Sequence, residues 1–295
     1  MSNDLRGRIA IVTGASRGAG RAIAHELGAA GATVYVTGRS SRSGGTDAYA
    51  KFLAQPGGLA AMPGTIEDTA DEVTAAGGRG VAVRCDHTDP EQVRELFARV
   101  ERDEKRLDLL VNNAWGGHET LTKDTLDAPF WKQSIAHWES MLAHGVRNHV
   151  IACQAAAPML VAQRSGLIVT TTFWDRDRYV KGNLFYDLAK AAMNRLAFAV
   201  AEELRPYGVA SVAVAPGWMR TEIILAAFGT DEAHWREVPP LARTESPRYL
   251  GRAVVALAGD ADVMAKSGRV LRVADLAREH GFTDIDGRVV AAFEM

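Results

Sequence analysis

Short β-branched apolar runs recur along the chain. Ile9–Val12, Thr33–Val36, Val81–Val83, Leu107–Val111, Leu167–Thr171, Val209–Val214 and Val270–Val273 read as strands. Several are apolar at almost every position rather than at alternate ones, the pattern of strands covered on both faces of a parallel sheet. Longer stretches with helical periodicity lie between them: Gly18–Ala30, Ile66–Ala76, Pro90–Asp103, Trp138–Gln163, Asn183–Leu204 and Arg248–Leu257. Strand and helix alternate, which predicts βαβ units. Right-handed crossovers then place helices on both faces of an α/β, doubly wound parallel sheet of about seven strands.

Two stretches break this rhythm. Ser40–Thr65 is rich in Gly, Ser and Ala, and Thr221–Pro247 carries Phe228, Trp235 and Pro239-Pro240. Loops of such length in a compact domain are usually functional or disordered. The second follows the carboxyl end of a strand, where open α/β sheets bind ligands. Residues 221–247 are therefore expected to form a substrate-binding lid, with a surface excursion as the alternative.

Composition narrows the class. The 295 residues are 47% hydrophobic, enough for one large core, and no linker, repeat or low-complexity tract divides them. A single domain over residues 1–295 is expected. The formal net charge is -2 with no run of Lys and Arg, which argues against a nucleic-acid partner. Met1–Arg8 is polar, and no apolar run approaches the ~18 residues of a membrane span. Cys85 and Cys153 are isolated and read as small buried apolar residues rather than a disulfide framework. The expectation is a cytoplasmic protein without a membrane partner. His137, His144 and His149 share a predicted helix, but their separations build no metal site, and no metal is expected.

The candidate chemistry begins after the first strand, at Thr13-Gly14-Ala15-Ser16-Arg17-Gly18-Ala19-Gly20. Gly14 permits a tight turn. Gly18 and Gly20 let backbone approach a diphosphate and let helix pack on sheet. The unpaired N–H groups of the helix start carry partial positive charge and suit an anion. A Gly-rich match alone is weak, but here it occupies the strand–turn–helix position that the mechanism requires. Gly14, Ser16, Arg17, Gly18, Ala19 and Gly20 are thus candidate cofactor-binding residues. An NAD site usually carries an acidic residue after the second strand. Here Thr37-Gly38-Arg39-Ser40-Ser41-Arg42 has no carboxylate before Asp47. The fork of Arg39 suits a 2′-phosphate, and Arg17 can reach the same group, so NADP(H) is expected over NAD(H).

The spacing T-G-x-x-x-G-x-G resembles the short-chain dehydrogenase/reductase family, whose domain is Rossmann-type. Asn112-Asn113-Ala114, Tyr186-x-x-x-Lys190, and Pro216-Gly217 with Thr221 follow in the family's order. Phe130-Trp131 to Trp138, Gly145-Val146-Arg147 and Gly166–Val169 resemble one subgroup of it. The resemblance implies that Asp86 binds the adenine amino group. It also adds Asn112, Ala114, Tyr186, Lys190, Pro216, Gly217 and Thr221 to the cofactor site, and implies a homo-oligomer.

Tyr186 and Lys190 lie four apart on a predicted helix and share a face. An ammonium beside a phenol of ordinary pKa about 10 favours the phenolate. Tyr186 then becomes a general acid/base for a carbonyl or alcohol oxygen. The resemblance also has Lys190 bond the nicotinamide ribose. Two departures stand out. The family's serine at the end of the fifth strand is missing from Thr170-Thr171-Thr172-Phe173-Trp174. Counting from Gly166 sets Thr172 and Phe173 at its Ser-Ser pair, whereas counting back from Tyr186 lands on Phe173. Thr172 is the candidate replacement, with Thr171 expected on the opposite face by strand alternation. The charged loop Asp175–Arg178 can shift the register. Aligning on Gln154 and Pro158 puts Gly145 where many relatives carry the asparagine of the proton relay, with Asn148 one turn away. Trp115 replaces the glycine after Asn112-Asn113-Ala114; it lines the cofactor edge or substrate cleft, or simply packs.

The expected function is an NADP(H)-dependent oxidoreductase acting on a carbonyl or secondary alcohol. Two rivals stand: a cofactor-binding sensor or scaffold with little turnover, which the missing serine favours, and a lyase, epimerase or dehydratase on the same fold.

Overall fold

The computed structural model describes residues 4–44, 63–117, 128–174, 178–180 and 183–294. Among these residues seven strands form one parallel sheet: β1 (Ile9–Thr13), β2 (Thr33–Gly38), β3 (Arg79–Arg84), β4 (Leu109–Asn112), β5 (Gly166–Thr171), β6 (Val209–Ala215) and β7 (Val270–Arg272). Their order is β3-β2-β1-β4-β5-β6-β7, so the winding reverses between β1 and β4. Ala10 pairs with Val34 on one side and Leu109 on the other.

The near-continuous apolar runs arise because each face has its own core. Ala10, Val12, Val34, Val36 and Val111 point to the face covered by α1 (Gly18–Ala29), α2 (Ile66–Ala75), α7 (Pro247–Ala258) and α8 (Val273–His280). Ile9, Ile11, Tyr35, Leu110 and Ile168 point to the other, under α3 (Pro90–Glu104), α4 (Arg147–Gln163) and α5 (Leu184–Leu204). Local signals set the helix starts: Thr65 and Asp68 make a capping box for α2, and Asp89 caps α3 ahead of Pro90. Among the described residues no helix is long and apolar enough to cross a membrane.

Several boundaries differ from the sequence reading. Leu107 and Asp108 precede β4, because the Asp108 carboxylate binds Arg8, Arg106 and the Ile9 N–H. Val273 opens α8 instead of ending β7, and the sequence reading had no helix there. The expected helix Trp138–Gln163 is interrupted: Glu139–Val146 is π-helical, and α4 follows it. Residues 221–247 hold α6 (Glu222–Ala227) and two short 3₁₀ turns, Trp235–Glu237 and Pro239–Arg243. Most of the Ser40–Thr65 stretch, with Asp47, and Asp175–Asp177 of the charged loop lie outside the described residues.

The segment after β6 is anchored by one buried cation. Arg220 is 1% exposed. Its guanidinium pairs with Glu232 at 2.9 Å and Asp284 at 3.4 Å, and lies 4.2 Å from the Trp235 ring centroid. Asp284 also accepts the Ser246 N–H at 2.8 Å. A buried charge is tolerable only when paired, and removing one partner strands the others. Arg220→Ala is therefore expected to cost about 3–5 kcal/mol of unfolding free energy in a guanidinium titration. A loss below about 1 kcal/mol, the range of exposed pairs, would contradict this account.

Candidate active site

A cleft of about 360 Å³ opens at the carboxyl ends of the strands, where the connections after β1 and β4 run in opposite directions. Its floor depends on close backbone approach. Gly14 has φ +65°, and a Cβ there would lie 2.7 Å from Ala114 Cα. A Cβ on Gly20 would meet the Gly14 carbonyl oxygen at 2.3 Å, so Gly20 packs beneath the loop rather than lining the cleft. The start of α1 has no side-chain cap and no acidic residue in its first turn. Instead the Glu222 carboxylate accepts the Gly18 N–H at 3.1 Å, with Arg21 3.8 Å away. The helix start thus already holds an anionic group, as its dipole and free donors favour. Ser16, Arg17, Gly18 and Ala19 line the same wall.

At the far end Arg17, Arg39, Ser40 and Asp86 come together around the cleft. Arg17 donates to Ser40 Oγ at 2.8 Å and to the carbonyls of Pro63 and Gly64. Burial raises the Asp86 carboxyl, but the Thr88 N–H and hydroxyl bonds, then the Arg39 charge, outweigh it and leave the pKa low. Asp86 is therefore an anionic acceptor at neutral pH.

Tyr186 and Lys190 lie in the first turns of α5, which Asn183 caps through the Tyr186 N–H. Both line the cleft. Trp115 meets Tyr186 edge-on with centroids 5.9 Å apart. Lys190 Nζ lies 3.8 Å from the Trp115 centroid, 5.3 Å from that of Tyr186 and 3.7 Å from Met193 Sδ. Both residues keep some exposure toward the cleft, but their walls are largely apolar. Burial pushes the Tyr186 phenol above its ordinary value and the Lys190 ammonium down to about 7. Burial opposes the lowering of the tyrosine pKa that the sequence leads one to expect from Lys190. In this arrangement desolvation governs the phenol, and the ammonium faces the indole.

Other candidates divide. Ala114, Pro216, Gly217 and Thr221 line the cleft. Asn112 does not: its side chain is buried and donates to Cys153 Sγ at 3.2 Å. Its neighbour Asn113, which the sequence reading left out of the site, lines the cleft and bonds the carbonyls of Thr13 and Gly14. Thr172 lines the cleft, its hydroxyl 3.3 Å from the Lys190 carbonyl oxygen. Thr171 lines it too, because β5 ends there and strict alternation ends with it; its hydroxyl donates to the Asn112 carbonyl at 3.3 Å. Phe173 stands 6.2 Å from the Tyr186 ring, centroid to centroid. His144 and Asn148 also reach the cleft, whereas His149 is buried and lies 3.1 Å from the Ala114 carbonyl oxygen through Nε2. Elsewhere, Asp260, Glu279 and His280 bring possible ligand atoms together, but Lys266 Nζ sits 2.6 Å from Asp260 and 2.8 Å from Glu279 and neutralises them.

The family model described as enoyl-(acyl carrier protein) reductase matches residues 48–273. Dehydrogenase/reductase SDR family member 1 of Mus musculus is 37% identical over 292 residues, covering 97% of this chain and 86% of its own length. A solved short-chain dehydrogenase of Mycobacterium thermoresistibile is similar with a TM-score of 0.77 at 25% identity, covering 99% of this chain and 94% of that one. A metagenomic short-chain oxidoreductase in complex with NADP is similar with a TM-score of 0.67 at 26% identity, covering 91% and 97%. Sequence and architecture agree over nearly the whole length, and the chain belongs to the short-chain dehydrogenase/reductase family of nicotinamide-dependent oxidoreductases.

Proposed function

We propose that the protein is an NADP(H)-dependent oxidoreductase for a small carbonyl or secondary-alcohol substrate. The observation that carries this reading is a single cleft joining the start of α1, the Arg17–Arg39 end and the Tyr186–Lys190 pair. The donor set fits the cofactor. Gly14, Ser16, Gly18 and Ala19 would hold the diphosphate, and Asp86 the adenine. Arg17 and Arg39 would hold the 2′-phosphate, and no described residue from Gly38 to Gly44 is acidic. Ala114, Pro216, Gly217, Thr221 and Lys190 would border the nicotinamide end. Relatives of this architecture include one in complex with NADP, which supports the same choice.

When bound, the nicotinamide supplies or accepts the hydride. Tyr186 donates its hydroxyl proton to the carbonyl oxygen during reduction, and takes a proton from the hydroxyl during oxidation. Lys190 stabilises the phenolate left behind. Thr172 orients the substrate oxygen. Glu222 occupies the Gly18 N–H that a bound diphosphate would need. Because Glu222 opens α6 within residues 221–247, that overlap would link cofactor entry to the segment read as a lid.

NADPH is expected to bind about tenfold or more tightly than NADH, since each charge-assisted hydrogen bond contributes about 1.5–3 kcal/mol. Arg39→Asp should erase or invert that preference in titration calorimetry; equal affinities in the unmutated protein would refute the NADP assignment. Tyr186→Phe keeps the ring and removes the acid. Turnover should fall by at least about 10²-fold while cofactor affinity stays nearly unchanged. A variant that kept most of its rate would move the acid/base role to another group.

A further inference from the structure

We infer that Trp115 is a positioning residue for Lys190, seated in space that Gly145 vacates. This rests on the Tyr186–Lys190 reading above. The two positions depart together from the family pattern: Trp115 stands where the Asn-Asn-Ala motif continues with glycine, and Gly145 where many relatives carry the relay asparagine. The structure gives the reason for the pairing. A Cβ on Gly145 would lie 2.6 Å from Trp115 Cζ3 and 2.9 Å from Cε3. No side chain at 145 coexists with this indole, and an asparagine least of all.

The ring is held on other sides as well. A Cβ on Gly117 would lie 2.1 Å from Cζ2, so the ring packs against bare backbone there. The Gly116 N–H bonds the His144 carbonyl at 3.2 Å, tying the Trp115 loop to the π-helical stretch that carries Gly145. So held, the indole presents its face to Lys190 Nζ at 3.8 Å and meets the edge of Tyr186. Tryptophan is the strongest aromatic partner for a cation, more so where water is scarce. The titratable groups around the ammonium are Tyr186 on its own helix, His149 on α4, pushed down to about 3 chiefly by burial, and His144, which shares the cleft. Burial is what lowers the Lys190 pKa, so the ring face works against it: it favours the charged form and keeps the ammonium beside Tyr186. The relay asparagine's place is thus taken by a ring that steadies the lysine directly.

The test measures Lys190 itself, without cofactor or substrate. The rate of its acetylation by acetic anhydride, followed by peptide mass spectrometry across pH, reports its neutral fraction. In Trp115→Leu the midpoint should fall, and acetylation near pH 7 should approach its plateau rate. Trp115→Phe, which restores an aromatic face, should return most of the shift. Gly145→Asn should disturb Lys190 in the unmutated background, and should be relieved in combination with Trp115→Gly. Circular dichroism and NADPH titration confirm that each variant is folded. An unchanged midpoint in folded Trp115→Leu, or a harmless Gly145→Asn alone, overturns the inference. These readouts hold even if no substrate turns over, so a failure here is separable from a failure of the proposed function. Where turnover is measurable, Trp115→Leu should lower kcat by about tenfold.

Discussion

Thr13 and Asn113 lock together the loops after β1 and β4 at the carboxyl edge of the sheet. The Thr13 hydroxyl donates to the Val111 carbonyl at 3.2 Å and accepts the N–H groups of Asn113 and Ala114, each at 2.9 Å. Asn113 returns two bonds from its amide to the carbonyls of Thr13 and Gly14. The winding reversal separates the loops after β1 and β4, and this joint ties them back together. Gly14 then presses on Ala114, Gly20 packs beneath Gly14, and α1 starts with its donors directed at the cleft. The Gly-rich end and the Trp115 end of the cleft both hang from these few hydrogen bonds.

Much of this was legible in the sequence because the physics is local. Strands buried on both faces must be apolar throughout, so β1, β2 and β6 announce themselves. A loop that meets another backbone at van der Waals distance needs glycine, so the phosphate loop does too. Tyr186 and Lys190 are four apart on a helix and can only share a face. The rest depends on where the chain leaves an element. Asn112 and Asn113 are equivalent in the sequence, but the first still belongs to β4 and points into the core, while the second has left the strand. Thr171 and Thr172 fail the alternation rule for the same reason. Arg220 carries no signal in the sequence, and only the fold brings Glu232, Asp284 and Trp235 around it. The Trp115–Gly145 fit was present as two separate oddities whose connection needs three-dimensional contact.

The same apolar walls act twice on the chemistry. They raise the cost of ionising Tyr186, and they make the charge on Lys190 conditional on its neighbours. A site built this way has little charge of its own around the tyrosine. Its competence depends on how well the ammonium is held and on what shares the cleft. The other end is the reverse: Arg17, Arg39, Asp86 and Glu222 make it densely charged. Polar recognition at one end and desolvated proton transfer at the other is the division of labour expected of a dinucleotide-dependent enzyme.

That division is tested most directly by mixing the purified protein with NADPH and a broad panel of aldehydes and ketones and following the loss of reduced-cofactor absorbance. The account predicts steady, enzyme-dependent oxidation with at least one member of the panel. Tight NADPH binding with no oxidation across the whole panel would contradict it, and would leave a nucleotide-binding cleft without the reaction its tyrosine and lysine imply.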